Sequence, residues 1–207
     1  MTQKDHNHGS GASKRLEALS DGIFAIAATI LVLEIRVPEI EVDSSSHMIH
    51  ALIDVLPSFV AFVLSFLNIL IFWVNHDSIG KVITRFDSKL TYMNIIFLLF
   101  ISLVPFTTAF VSRYPYNIVA ISCYGLLFFF TSNIAALMYY YLAFKSDLMD
   151  HKISKKSRTK IWKRVSLGPI FFAVAIMLGW INVYISIVIY LLVPLMFVVF
   201  PKVEFEE

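Results

Sequence analysis

Six apolar runs, separated by short polar or charged stretches, divide this chain of 207 residues. They cover residues 16–37, 52–74, 90–111, 116–144, 166–180 and 183–200. Each is as long, or nearly as long, as the roughly 20 residues a helix needs to cross the hydrocarbon core of a bilayer. The pattern predicts an all-α membrane protein with six transmembrane helices. Only Ile181 and Asn182 part the last two runs, which places a tight turn there. Pro38 closes the first span, and Pro169 sits at the opening of the fifth, where a missing N–H does no harm. Pro194 is expected to kink the sixth.

Composition agrees with a lipid solvent. Hydrophobic residues make up 58% of the chain and charged residues 15%, against roughly 45–50% apolar in a soluble domain. Residues 1–13 are polar and rich in His, Gly and Ser, and are expected to form a disordered tail ahead of a single transmembrane domain, 14–207. The first run is no signal peptide on this reading, because it follows Lys14 and Arg15, lacks a small-residue cleavage site and continues past Ile35. The single cysteine, Cys123, lies within an apolar run and is expected only to pack.

Cations set the orientation. With the amino terminus inside, the inner segments hold Lys4, Lys14, Arg15, Lys81, Arg85, Lys89, the run from Lys145 to Arg164, and Lys202. The outer segments then keep only Arg36 and Arg113, so both termini are expected to be cytoplasmic. The first outer loop carries Glu39, Glu41 and Asp43. The basic run lies between two spans, which favours a cytoplasmic loop facing anionic lipid over nucleic-acid binding, and no nucleic-acid partner is expected.

Candidate chemistry gathers at the inner end of the first span. Arg15, Glu17, Ser20 and Asp21 precede an apolar stretch that ends at Glu34. Asp21 lies about 9 Å deeper than Arg15 along a helix axis, and a carboxylate there needs partners. The second span arrives at that level with Trp73, Asn75, His76 and Asp77, and the third begins there with Asp87 and Asn94. Two readings stand: a hydrogen-bonded clamp that fixes helix packing, or part of a proton or ion path. Within the stretch, Ile23, Ile26, Ile30 and Leu33 follow one helical face, with Ala25, Ala27, Ala28 and Thr29 among them. Small residues place this helix inside the bundle or at a subunit contact. Around a symmetry axis the same residues would form a hydrophobic constriction. No metal-ligand spacing occurs in a span and no Gly-rich phosphate loop is present, so neither an enzyme nor a cofactor is expected.

The stretch from Arg15 through Leu19-Ser20-Asp21 to Glu34 closely resembles the first-helix signature of the transmembrane protein 175 family, the lysosomal and bacterial potassium channels without the usual filter sequence. Leu19 stands where that signature has Phe. Ser65-Phe66 through Phe72-Trp73-Val74-Asn75-His76 resembles the family's second-helix ending, and Asp87 to Asn94 with Leu103-Val104-Pro105-Phe106-Thr107 resembles its third helix. The resemblance covers roughly the first half of the chain.

It implies a homotetramer in a bacterial plasma membrane, with four copies of the first helix around a central pore. It further implies Ile26, Ile30 and Leu33 as the constriction, Thr29 as the adjacent hydroxyl layer, and Arg15, Ser20, Asp21, Trp73, Asn75 and His76 as the polar cluster that supports the first helix. Potassium is then the permeant ion, with protons a second candidate, and Glu34 stands at the outer vestibule. No Thr-Val-Gly-Tyr-Gly occurs, so weak to moderate selectivity is expected from sieving at branched aliphatic side chains. A proton-coupled secondary transporter using Asp21 and His76 is the competing reading. Such proteins show internal repeats or broken mid-membrane helices, and in this sequence only Pro194 qualifies as such a break.

Overall fold

The computed structural model describes residues 4–39 and 44–199, with side chains from 14 to 39 and from 44 to 197. Every named element is helical. The first apolar run forms α1 (Lys4–Ile30), extended by a 3₁₀ turn, Leu31–Glu34. Beyond it the chain is no longer helical, as expected before Pro38, which disfavours helical geometry at Val37. Of residues 4–13, read above as a tail, only the backbone is described, and it belongs to α1.

Helix α2 (Ser45–Gly80) is longer at both ends than the predicted span 52–74. Ser44 caps it by accepting the His47 N–H at 3.4 Å, and nothing between Val74 and Gly80 stops it. Its 36 residues correspond to about 54 Å of helix, well beyond a hydrocarbon core of roughly 30 Å. Pro57 lies inside α2, so Pro194 is not the only proline within a span.

The third run is two helices, α3 (Ser88–Ser102) and α4 (Val104–Arg113). The break has a chemical cause. Pro105 has no N–H to give to Ile101, so the helix tightens ahead of it and Leu103 N–H bonds Phe100 O at 3.2 Å. The fourth run gives α5 (Ile118–Tyr140), which ends in a π turn, Tyr141–Lys145.

The basic stretch expected as a loop is largely a helix, α6 (Lys155–Val165). Ser154 caps it by accepting the Ser157 N–H at 3.2 Å, Lys and Arg are good helix formers, and Ile161 provides a buried anchor. Only Ser166 parts α6 from α7 (Leu167–Gly179), and α8 (Val183–Val199) follows. The chain is thus an all-α membrane protein. Five of its helical spans are long and apolar enough to cross a bilayer, and a sixth, Val183–Phe197, is shorter.

One core joins the spans. Phe24 of α1, Ile69 of α2, Phe97 of α3, Val104 of α4, Phe128 of α5, Phe172 of α7 and Tyr190 of α8 are all buried in it. Phe128 is central, stacked on Phe172 with ring centroids 5.4 Å apart and on Phe72 at 6.2 Å. Gly125 lets α8 approach α5, since a Cβ there would overlap the Tyr190 hydroxyl. A second core at the α6 end holds Leu90, Tyr139, Leu142, Met149, Ile153 and Ile161.

Candidate pore helix and its polar anchor

Helix α1 has two faces of different character. Ser20, Phe24, Ala27, Ala28 and Leu31 are buried against the rest of the chain. On the other side Gly22, Ala25, Ile26, Thr29, Ile30 and Leu33 are exposed, with Ile26 at 59%, Ile30 at 41% and Leu33 at 71%. Ile23, placed by periodicity on the same face as Ile26, packs partly against the core. Helical spacing assigns a residue to a sector about 100° wide, and Ile23 falls at its edge.

Thr29 Oγ1 donates to Ala25 O at 2.8 Å and lies within 3.1 Å of Ile26 O. Its proton is used inside the helix, so its oxygen can meet a cation as an acceptor. Glu34 closes the 3₁₀ turn and is half-buried, Glu39 is exposed, and Glu41 and Asp43 lie outside the described residues.

The opposite side of α1 is tied down at one level. Asn94 Nδ2 of α3 donates to Ser20 Oγ at 3.1 Å, and Ser20 donates onward to Leu16 O at 2.9 Å. Asn94 Oδ1 lies 2.8 Å from His76 Nε2. With the amide oriented to serve Ser20, the His76 Nε2 carries the proton of that bond. The His76 ring is stacked on Phe97, centroids 5.9 Å apart, and meets Phe24 at a tilt with centroids 5.7 Å apart. A second tie runs from Trp73 Nε1 to Asp21 Oδ1 at 3.0 Å. Ser20 and His76 are thus joined through Asn94, and Asp21 and Trp73 directly, so that two ties hold α1 to its neighbours.

One expected member stands apart. Arg15 is exposed, and among the described residues no hydrogen bond or ion pair joins it to the cluster. Asn75 lines a cavity of about 240 Å³ together with Asp21 and His76 of the cluster, and with Asn68 and Ser132. Asp87 caps α3, accepting the Leu90 N–H at 2.7 Å, and its other oxygen accepts a hydrogen bond from the Tyr141 hydroxyl. Asp77 pairs with Lys81 at 2.6 Å on its own helix.

Sequence reasoning did not single out one polar string. Thr108 Oγ1 of α4 donates to Ser65 Oγ of α2 at 2.7 Å, and Ser65 donates to Tyr124 Oη of α5 at 3.2 Å. Hydroxyl residues isolated in three apolar runs were the available signal. Among the described residues no three His, Cys, Asp or Glu side chains converge in a way that could hold a metal ion.

The family model for the endosomal/lysosomal potassium channel TMEM175 matches residues 15–105. A potassium channel of Chamaesiphon minutus is 35% identical over 176 residues, 84% of this chain and 87% of that one. A potassium channel of Streptomyces collinus is 32% identical over 174 residues, 82% of this chain and 84% of its own length. The crystal structure of a lysosomal potassium-selective channel TMEM175 homologue from Chamaesiphon minutus superposes with a TM-score of 0.81 at 31% identity, covering 91% of this chain and 97% of that one.

Proposed function

The chain belongs to the TMEM175 family, an ion-channel family and not an enzyme family, and from that premise we propose that it is a potassium-permeable cation channel whose pore runs between copies of α1. The observation that carries this reading is the free face of α1. Ile26, Thr29, Ile30 and Leu33 point away from the chain's own core, on a helix whose other side is hydrogen-bonded to α2 and α3.

Lipid is a poor partner for that face. At its inner end, on the flank held by Trp73, stands Asp21, an exposed carboxylate that would be costly beside acyl chains and is tolerable beside water. The face also carries Gly22, Ala25 and Thr29, which suit close approach of neighbouring helices better than contact with lipid. A homotetramer with four such faces around one axis accounts for both features.

Ile26, Ile30 and Leu33 then form the constriction. An ion must shed part of its hydration to pass such a ring, a loss smaller for potassium than for sodium, so selectivity is weak to moderate. Thr29 supplies an acceptor oxygen next to the constriction. Glu34 raises the local cation concentration at the outer mouth. Protons are a second permeant candidate. The cation asymmetry supports cytoplasmic termini and a place in the bacterial plasma membrane, with 14–207 acting as one channel domain around the α1 pore. Arg15 acts on α1 through the charge it sets at its mouth, and Asn75 through the cavity it shares with Asp21 and His76.

Planar-bilayer recording of the purified protein under potassium and sodium gradients tests the reading. Ile26→Asn or Ile30→Asn should raise the current and weaken discrimination between the two ions. Unchanged flux and unchanged discrimination in both variants would reject a pore lined by α1.

A further inference from the structure

Helix α6 carries a cationic face that the channel reading does not use. Lys155, Lys156, Lys160 and Lys163 are exposed, and at 100° per residue they fall within an arc of about 140°. Ser157 and Ile161, on the far side, are buried. Among the described residues none of these four lysines has an ion pair.

The helix is held at the membrane boundary. Only Ser166 separates it from the membrane helix α7, so each of the four lysines lies within about 18 Å of Leu167 along the axis. Trp162 packs on Tyr140 and Phe144, with centroids 5.8 and 6.3 Å away, an aromatic group of the kind that settles at headgroup level.

The helix is also firmly attached. Arg158 donates to Ile153 O at 3.2 Å, Ala143 O at 3.3 Å and Asp150 O at 3.0 Å, fastening α6 to the π turn and the segment after it. That segment pairs with the α2–α3 turn through Thr84 N to Leu148 O at 2.8 Å and Asp150 N to Val82 O at 3.0 Å. From the turn, α3 carries Asn94 to Ser20 on the pore helix.

We propose that the lysine face of α6 is a docking surface for anionic phospholipid headgroups, and that its occupancy biases the channel through the α2–α3 turn and the Asn94–Ser20 bond. The occupant follows from charge and depth: a row of exposed ammonium groups, without an ion pair among the described residues, beside the first residues of a membrane helix meets headgroup phosphates of the same leaflet first. The bias on the channel rests on the reading of α1 as the pore lining. The docking itself does not.

The full chain is reconstituted in phosphatidylcholine vesicles with and without phosphatidylglycerol. Contact is read as quenching of Trp162 by brominated phosphatidylglycerol or brominated phosphatidylcholine, taken as the difference between the wild type and Trp162→Phe. Phosphatidylglycerol should quench at a bulk fraction lower by about tenfold than phosphatidylcholine. Lys155→Gln, Lys156→Gln, Lys160→Gln and Lys163→Gln combined should abolish that preference, and arginine at the same four positions should keep it. Inorganic phosphate should not compete, which separates a membrane headgroup from a free anion.

Equal quenching by the two lipids, or a preference unchanged in the glutamine variant, overturns the docking surface. So does an equal effect of the substitutions on flux in vesicles of phosphatidylcholine alone, which would assign the lysines to a partner in the chain such as Glu204, Glu206 or Glu207. Preferential quenching with flux indifferent to phosphatidylglycerol overturns the coupling to α1. Preferential quenching in a protein that conducts no ions at all sets aside the channel reading and leaves the docking surface standing.

Discussion

Asn94 and Ser20 lie 74 positions apart in the chain and 3.1 Å apart in the fold, amide nitrogen to hydroxyl oxygen. Both are buried, at 1% and 0% exposure. That bond, with the 2.8 Å contact between Asn94 and His76, makes one amide side chain the joint between three helices. On the other side of the same helix, Ile26 and Leu33 are largely exposed. The first helix is thus fixed from behind and open in front, the arrangement a lining helix needs if its position is to be set before subunits meet.

Removing the joint should cost stability in a graded way. Asn94→Leu keeps the volume but leaves both the Ser20 hydroxyl and the His76 N–H short of a partner, so a loss of about 1–3 kcal/mol is expected. Ser20→Ala removes one acceptor and should cost less. Thermal unfolding in detergent, followed by loss of helical circular dichroism, should rank the midpoints as wild type, Ser20→Ala, Asn94→Leu.

Asp21 combines two properties that substitution can separate. As the acceptor of the Trp73 N–H at 3.0 Å it positions α1, and as a carboxylate it sets the field at the mouth of the exposed face. Asp21→Asn keeps an oxygen for Trp73 and loses the charge, so its unfolding midpoint should stay near wild type while cation current changes. Trp73→Phe keeps the charge and loses the bond, and should lower stability by about 0.5–1.5 kcal/mol. Equal effects of the two variants on both measurements would show that position and charge are not separable there.

Much of this site was legible because it depends on periodicity and depth. A 3.6-residue repeat places Ile26, Ile30 and Leu33 in one sector, and counting residues from the polar ends of the first three runs brings Ser20, Asp21, His76 and Asn94 to one level. Other features depend on single backbone groups that hydropathy does not register. The missing N–H of Pro105 divides one predicted span into α3 and α4, and the Ser44 cap extends α2 well ahead of Leu52. Lysine-rich sequence reads as a loop by charge, yet Ser154 and Ile161 supply a cap and an anchor that make it α6. Arg15, by contrast, is exposed on the open side of α1, an azimuth that residue counting from a span end does not fix.

Close helix approach leads to a prediction in the second half of the chain. Gly125→Ala would place a methyl group on the Tyr190 hydroxyl and against Ile176, so α5 and α8 must separate, at a cost of about 1–3 kcal/mol. Tyr190→Phe removes the overlapping oxygen and should restore part of that loss in the double variant. Alone it should destabilise modestly, since the hydroxyl donates to Ile121 O at 3.3 Å. Unfolding midpoints of the three variants form a double-mutant cycle, and additive losses would argue that the two residues do not meet.

Arg158 gives the last prediction, because its guanidinium does what a lysine ammonium cannot. Its three nitrogens reach three backbone carbonyls, those of Ile153, Ala143 and Asp150, and its own carbonyl accepts the Tyr139 hydroxyl at 3.2 Å. These carbonyls lie on the π turn and the segment between α5 and α6, and charged hydrogen bonds to such groups contribute about 1.5–3 kcal/mol each at most. Arg158→Lys keeps the charge but presents a point donor that cannot span the same three acceptors. The segment holding Leu148 and Asp150 should then open more often, and with it the pairing to Val82 and Thr84 of the α2–α3 turn. Hydrogen exchange at the Thr84 and Asp150 amides should accelerate by about tenfold or more in the variant, while amides in the middle of α5 exchange as before. Uniform acceleration along the chain would mean that Arg158 supports the whole bundle, and unchanged exchange at Thr84 would mean that the turn is held without it.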